Sequence, residues 1–193
     1  MAYIRTSRGE LVYTKQLPSI NQKIDKEKML ENMRILQVYL DKIGITWGPA
    51  FGTLIGIVRN DDFLPWATAT DFFFLKEDEE RFKDVLWLMN EVGFELVRYE
   101  RRGLYCLVRD GQWMSFHVLR KISADIRHSG GTNFLFDKYL HQTVKWNFKG
   151  IELNVPQELD EYLTFQYGDW VHEKNTNAGK INKIEQLKLL IIC

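Results

Sequence analysis

The sequence holds only two cysteines, Cys106 and Cys193. Two thiols so far apart exclude the disulfide framework of a small secreted scaffold, and neither lies near a histidine pair at zinc-ligand spacing. Cysteine usage of this kind fits a reducing, cytoplasmic setting. No apolar run of the kind a secretory leader carries opens the chain. No segment approaches the ~18 consecutive apolar residues of a membrane span. Net charge is missing as well, because 26 basic residues balance 26 acidic ones. A nucleic-acid scaffold needs a basic footprint, so no nucleic acid is expected as a partner, although the balance leaves room for a local basic pocket. Prolines number four, and no internal repeat or low-complexity linker divides the chain. The expectation is one domain over residues 1–193.

What is present is enough length for a sizeable core, with hydrophobic residues at 45%. Aromatics at 13% are abundant, which points to an aromatic core or cleft. Residues 1–24 are mixed and polar, and Gly9 suggests a hairpin or a loose arm. Asp25 is placed to cap a helix reaching about Ile43, with Met29, Met33, Leu36 and Leu40 on one stripe and Gly44 as its stop. A second helix is expected over 77–92. Its acidic start, Glu77 to Glu80, reads as a solvated cap that complements the helix dipole.

Strands are expected over 45–47, 94–100, 104–109 and 112–119, the last two joined by the hairpin signal Asp110-Gly111. In 112–119, Met114, Phe116 and Val118 share one face, and Trp113, Ser115, His117 and Leu119 the other. Residues 121–142 carry little pattern, and 129–133 reads as a flexible surface turn. A further hairpin is expected over 143–155 with its bend at Lys149-Gly150. Pro156 is expected to open a helix that closes at Tyr167-Gly168-Asp169-Trp170. A last helix is expected over 181–192. Strand and helix signals alternate, so the fold class is α/β (α+β), a small mixed sheet flanked by helices.

The chain is organised around one stretch. Gly52-Thr53-Leu54-Ile55-Gly56-Ile57-Val58-Arg59 reads as a glycine turn and a short helix ending in an arginine. Pro65 and Trp66 then fix a loop, and Asp71 opens the buried strand Phe72 to Leu75. Glycine permits close approach of the backbone to a ligand, and a helix start offers N–H groups to an anion. An acid facing such a helix start suits phosphate and metal. Arg59 suits phosphate through its planar fork of donors.

These two segments resemble the LicD/fukutin family of nucleotidyltransferase-fold phosphotransferases. The family pattern G-T-L-L-G-x-x-R appears here as G-T-L-I-G-I-V-R. The pattern P-W-D-x-D-x-D appears as P-W-A-T-A-T-D, so Ala67 and Ala69 stand where the family has aspartates. The run from Val155 to Trp170, with its Y-G-D-W end, adds support. The resemblance spans about residues 29–173. It implies transfer of a phospho-group, such as phosphocholine or a polyol phosphate, from a CDP-linked donor to a glycan hydroxyl. It also implies Mg²⁺ or Mn²⁺ on aspartates at positions 67, 69 and 71, with a third carboxylate from a neighbouring strand. Ser115 or His117 occupies that last place, and His117 is a candidate metal ligand. Gly52, Thr53, Arg59 and Trp66 are the nucleotide-binding candidates. Residues 69 and 71 alternate along one strand, so their side chains point the same way and can share ions. A methyl group cannot ligate a metal, so metal binding should be weak and the chain as written nearly inactive. An enzyme whose acids have been replaced fits this pattern, and so does a natural pseudoenzyme or nucleotide-binding module on the same fold.

Overall fold

Side-chain alternation along β4 (Thr70–Leu75) decides the layering of the fold. Thr70, Phe72 and Phe74 are wholly buried on one face, and Asp71, Phe73 and Leu75 point to the other. A computed structural model describes residues 2–13, 22–130, 133–172 and 183–192. In it β4 lies inside a mixed sheet of order β3 (Trp47–Pro49), β4, β7 (Gln112–Lys121), β6 (Leu104–Arg109) and β5 (Glu95–Glu100). β4 and β7 are parallel, with Asp71 opposite Ser115 and Phe73 opposite His117. The other pairs in that order are antiparallel. The expected small mixed sheet flanked by helices is therefore present.

Two helices cover the Phe72 face. In α1 (Lys26–Lys42) the Asp25 side chain accepts a hydrogen bond from the Lys28 N–H at 3.2 Å, as an N-cap does. Its stripe of Met29, Met33, Leu36 and Leu40 is fully buried. α3 (Glu79–Glu91), entered through a single 3-10 turn, buries Phe82, Val85, Leu86 and Met89. The Phe74 and Phe82 rings stack with centroids 4.3 Å apart, and Phe72 stacks on Phe116 at 5.2 Å. Each such side chain stabilises the fold by roughly 1.5–3 kcal/mol through burial. The N-terminal segment is a hairpin, β1 (Ala2–Thr6) with β2 (Gly9–Tyr13). It is tied to α3 by the Ser7 hydroxyl donating to Asp84 at 2.6 Å and by the Trp87 indole donating to Thr6 at 2.8 Å.

The opposite face carries α2 (Phe51–Asn60), α4 (Lys138–His141) and α5 (Leu159–Tyr167), while the hairpin β10 (Thr143–Phe148) with β11 (Ile151–Pro156) straddles the sheet edge, with Phe148, Ile151 and Leu153 in the Phe72 core and Val155 in the opposite cluster. α6 (Lys183–Ile192) ends the described chain. No helix among the described residues is long and apolar enough to cross a membrane. β11 passes over the edge strand β3, where the Asn154 amide donates to the Trp47 carbonyl at 2.7 Å.

Three expectations change. The acidic run before α3 is not a solvated cap, because Asp78 and Glu79 are buried. Asp78 accepts from the Thr46 N–H at 3.0 Å and pairs with Arg81, and Glu79 accepts from the Tyr105 hydroxyl at 2.9 Å. Glu77 receives both terminal nitrogens of the buried Arg127, at 2.8 and 2.7 Å, and Arg127 also pairs with Asp137. Second, 121–142 is structured. β7 runs on to Lys121, and β8 (Ile126–Ser129) and β9 (Asn133–Phe136) form a hairpin beyond it. Third, Pro156 closes β11, and the helix begins at Leu159. A proline suits the last position of a strand as well as a first helical turn, since neither position needs its N–H.

Two outcomes test this packing. A Cβ on Gly48 would lie 2.0 Å from the Asn154 carbonyl oxygen. Gly48→Ala should therefore lower stability in urea denaturation by at least about 1–3 kcal/mol, the usual size of overpacking. Burial raises the Glu79 carboxyl, but the bonds from Lys76 and Tyr105 outweigh it and hold its pKa below the usual value. A depressed carboxyl contributes stability that is complete at neutral pH and is lost as pH falls through the folded pKa. Glu79→Gln should flatten the acid limb of the stability–pH curve, measured from pH-dependent denaturation midpoints.

Candidate functional site

The turn into α2 does not use its glycine. Ala50 is extended, and Phe51, the first residue of the helix, takes a left-handed φ of 48°. A bulky residue in that region costs on the order of 1–3 kcal/mol and persists only where its surroundings impose it. Here they do. The Ala50 N–H donates to the Asp71 carbonyl at 2.8 Å, and the Asp71 N–H donates to the Thr53 hydroxyl at 2.8 Å. Asp71 is thus held by its main chain on both sides to the start of α2. The Phe51 ring, turned out by its backbone, meets the His117 ring edge-on with centroids 4.8 Å apart.

Asp71 is held at its side chain too. Its Oδ1 lies 3.0 Å from His117 Nε2. The other ring nitrogen, Nδ1, faces the buried Ser129 hydroxyl at 3.4 Å. With the imidazole neutral, Ser129 donating to Nδ1 selects the tautomer that carries its proton on Nε2, directed at the carboxylate. Ser129, expected in a flexible surface turn, instead ends β8 inside the molecule.

The Asp71 side chain is one third exposed and opens into a cleft of about 350 Å³. Gly52, Thr53, Trp66, Ala67 and Ala69 share its wall with Asp71. Ile24, Phe51, Phe63 and Leu64 add apolar lining. A partly apolar concavity of this size is what a small-molecule ligand requires. Ala69 and Asp71 both line it, while Thr70 between them is buried against Met29, so the alternation read from the sequence holds. The Trp66 ring is half exposed at the rim. His117 lines a second, nearly closed pocket on the far side of Phe51, one with room for about a single water molecule.

Two sequence candidates lie apart from the cleft. Ser115 is the register partner of Asp71, but it is buried in an apolar cluster with Cys106 and Trp113, and its hydroxyl accepts from the Trp113 indole at 3.1 Å. Arg59 sits on the last turn of α2 and donates to the Trp170 carbonyl at 3.2 Å, joining α2 to the end of α5. Thr53 lines the cleft, but its hydroxyl holds Asp71 in place. Sequence reasoning missed Phe51 and Ser129. Positive φ at a phenylalanine has no sequence signal, and Ser129 acts only through a neighbouring strand.

The donor set does not fit a pair of divalent ions. Among the described residues the cleft wall carries one carboxylate, Asp71, with methyl groups at 67 and 69. Among the described residues no three His, Cys, Asp or Glu side chains converge as a metal-binding group.

A profile of the LicD/FKTN/FKRP nucleotidyltransferase domain matches residues 44–158. That span takes in α2, the cleft loop, Asp71 and His117, and it stops before the Y-G-D-W run. Two curated relatives are the uncharacterized protein RT0683 of Rickettsia typhi, 24% identical over 88% of this chain, and the uncharacterized protein RP689 of Rickettsia prowazekii, 26% identical over 68%. The matches cover 56% and 50% of those proteins, so the chain spans about half the length of the curated relatives it matches. Among solved structures, the lincosamide antibiotic adenylyltransferase LnuA superposes with a TM-score of 0.52 at 10% identity, covering 89% of this chain and 100% of that one. The antibiotic-resistance factor ANT(2'')-Ia superposes with a TM-score of 0.53 at 9% identity over 85% of both chains. At such identities the likeness is one of fold.

Thr53→Val keeps the shape of the side chain and removes the acceptor for the buried end of β4. The Asp71 N–H is then left without its partner, which should destabilise the protein by about 1–3 kcal/mol. Chemical denaturation measures the loss, and amide exchange should rise most at Asp71.

Proposed function

The chain belongs to the LicD/FKTN/FKRP family, and from that premise we propose a transferase of the LicD kind whose active cleft is the one that Asp71 enters. The proposed reaction moves a phospho-group, phosphocholine or a polyol phosphate or a similar group, from a CDP-linked donor to a glycan hydroxyl. The observation that carries the reading is that Gly52, Trp66, Ala67, Ala69 and Asp71, separated in the motif by up to 19 residues (52 to 71), line one cleft. The half-exposed Trp66 offers an aromatic face to a base or sugar ring, where stacking needs no directional polar partner. Gly52 brings the first turn of α2 to the wall, where N–H groups suit phosphate oxygens. Arg59, bonded to the Trp170 carbonyl, supports the site by joining α2 to α5.

Asp71 is the retained acid, and Ala67 and Ala69 are read as the positions of two further ones. Carboxylates there would converge on Mg²⁺ or Mn²⁺, whose chemistry when bound is to offset charge on the transferred phospho-group. The present residues do not form that set, so the chain as written is read as nearly inactive. Loss of one well-placed charge-stabilising group lowers rate by about 10²–10³, and two are replaced here. A second reading has its own support. The Asp71–His117 bond occupies one oxygen of the only cleft carboxylate among the described residues, which suits a non-catalytic module that binds a nucleotide on the same fold.

Restoring both acids separates the two. Ala67→Asp combined with Ala69→Asp places three carboxylates together, whose repulsion only a cation relieves. That variant should gain thermal stability with Mg²⁺ or Mn²⁺. At a hundredfold excess over Kd the gain is about 2.7 kcal/mol, or roughly 5–10 °C for a chain of this size. It should also turn over a CDP-linked donor, whereas the present chain should show little of either. No metal-dependent shift and no turnover in the double variant would remove the transferase reading and leave the binding module.

A further inference from the structure

We propose that a groove between the N-terminal hairpin and α3 binds a phosphate ester carried on a sugar or nucleoside ring. The groove has a volume of about 710 Å³, against about 350 Å³ for the Asp71 cleft. Its polar lining comes from four elements: Tyr3 and Arg5 of β1, Tyr13 of β2, Lys83 of α3, and Tyr99 and Arg101 at and just beyond the end of β5. Tyr13 is buried and the Lys83 side chain is nearly so, while Tyr3, Arg5 and Arg101 are exposed. The bonds of Ser7 and Trp87 between hairpin and α3 hold these walls together. In register Tyr99 meets Tyr105, Tyr105 meets Phe116, and Phe116 meets Phe72. The groove therefore lies on the Phe72 face of the sheet, away from the face that Asp71 takes. Tyr3, Arg5 and Tyr13 fall outside the span that the family profile matches, so the cleft shared with the family does not account for it.

The lining selects an anion. Among the described residues it holds three cations and three phenols and no carboxylate. Glu80 pairs with Lys83 at 2.8 Å and Glu10 with Arg5 at 3.7 Å, but both acids are mostly exposed and neither lines the groove. Exposed pairs of this kind contribute little, so a doubly charged ligand can compete for the cations. Arg101 enters no ion pair among the described residues. Burial, then Tyr99, raise the Tyr13 phenol above its ordinary pKa, so it is a protonated donor at neutral pH. Burial lowers the Lys83 ammonium, but the bond from Glu80 and the nearby acids outweigh it, and the group stays charged. Cations on three different elements approach a ligand from three directions, which suits the tetrahedral oxygens of a phosphate better than the two oxygens of a planar carboxylate. A bare phosphate would leave most of such a volume empty, since a space of this size is that of a whole small molecule. The half-exposed Tyr3 ring and the ring of Tyr99 offer faces to a sugar or a base. This site does not depend on the transferase reading.

Titration of the full chain with glucose 6-phosphate, CMP, inorganic phosphate and glucose, followed through amide NMR shifts, tests the site. Glucose 6-phosphate or CMP, or both, should shift Tyr3, Arg5, Tyr99 and Arg101 together and bind there about tenfold more tightly than phosphate or glucose. The tighter ester tells whether the ring is a sugar or a nucleoside. CMP that enters the Asp71 cleft as well is recognised by separate shifts at Gly52 and Asp71, which Trp66→Ala should alter without touching those of the groove. Arg101→Ala removes an exposed side chain, so the protein should keep its Tm, and the ester should bind the groove about tenfold more weakly, the size of one hydrogen bond to a charged group. Lys83→Gln should weaken it in the same way, and added salt should weaken it further. Inorganic phosphate binding as tightly as both esters would overturn the assignment to a ring-borne ester. Groove shifts that persist unchanged in Arg101→Ala, or no shifts there with any of the four probes, would overturn the site.

Discussion

Asp71 is held at three atoms, and the geometry of the cleft follows from that. Its carbonyl receives the Ala50 N–H, its N–H reaches the Thr53 hydroxyl, and its Oδ1 meets His117. The first two bonds join the start of β4 to the start of α2 and fix the angle at which the helix leaves the sheet. Phe51 takes a left-handed conformation to allow it. The third bond depends on β7 lying parallel to β4 in the register that sets Phe73 beside His117. Sheet pairing, helix entry and the direction of one carboxylate are therefore a single constraint.

The polar interior supports that constraint from the other end of β4. Just beyond the strand the exposed Glu77 binds the buried Arg127, and the buried Asp78 and Glu79 take the Thr46 N–H and the Tyr105 hydroxyl. Carboxylates buried without such partners would be driven toward protonation. Paired as they are, they tie the exit of β4 to β6 and β8. Both ends of the strand that carries Asp71 are thereby anchored by directional bonds, and its middle by stacked rings of Phe72 and Phe74. A site on a strand so bound is more exact in position than one on a loop.

Alanine at 67 and 69 leaves this framework undisturbed, which separates fold from chemistry. Ala67 hydrogen-bonds through its main chain to Leu64 and Ile24, and Ala69 packs beside the Trp113 cluster. Neither position needs a carboxylate for the chain to fold. The relationship to the Rickettsia proteins, which are about twice the matched length, and the fold shared with a lincosamide antibiotic adenylyltransferase and an antibiotic-resistance factor concern that framework. The acids proposed for positions 67 and 69 concern the proposed reaction and not that framework.

Local signals in the amino-acid order carried most of the secondary structure. The stripe of α1, the Asp110-Gly111 and Lys149-Gly150 bends and the alternation of β7 each depend on near neighbours, so each was legible. The motif also foretold that Gly52, Trp66, Ala67, Ala69 and Asp71 lie near one another, and they share one cleft wall. The acidic run was misread because a helix dipole is a local effect, whereas Arg127 and Tyr105 reach Glu77 and Glu79 from 50 and 26 residues away. The same distance in sequence hid the role of Ser129, and it placed Ser115 and Arg59 at work outside the cleft. Periodicity tells which face of a strand a side chain takes. Which partner waits on that face is decided only when the parallel pairing of β4 with β7, and the passage of α5 beside α2, bring distant residues together.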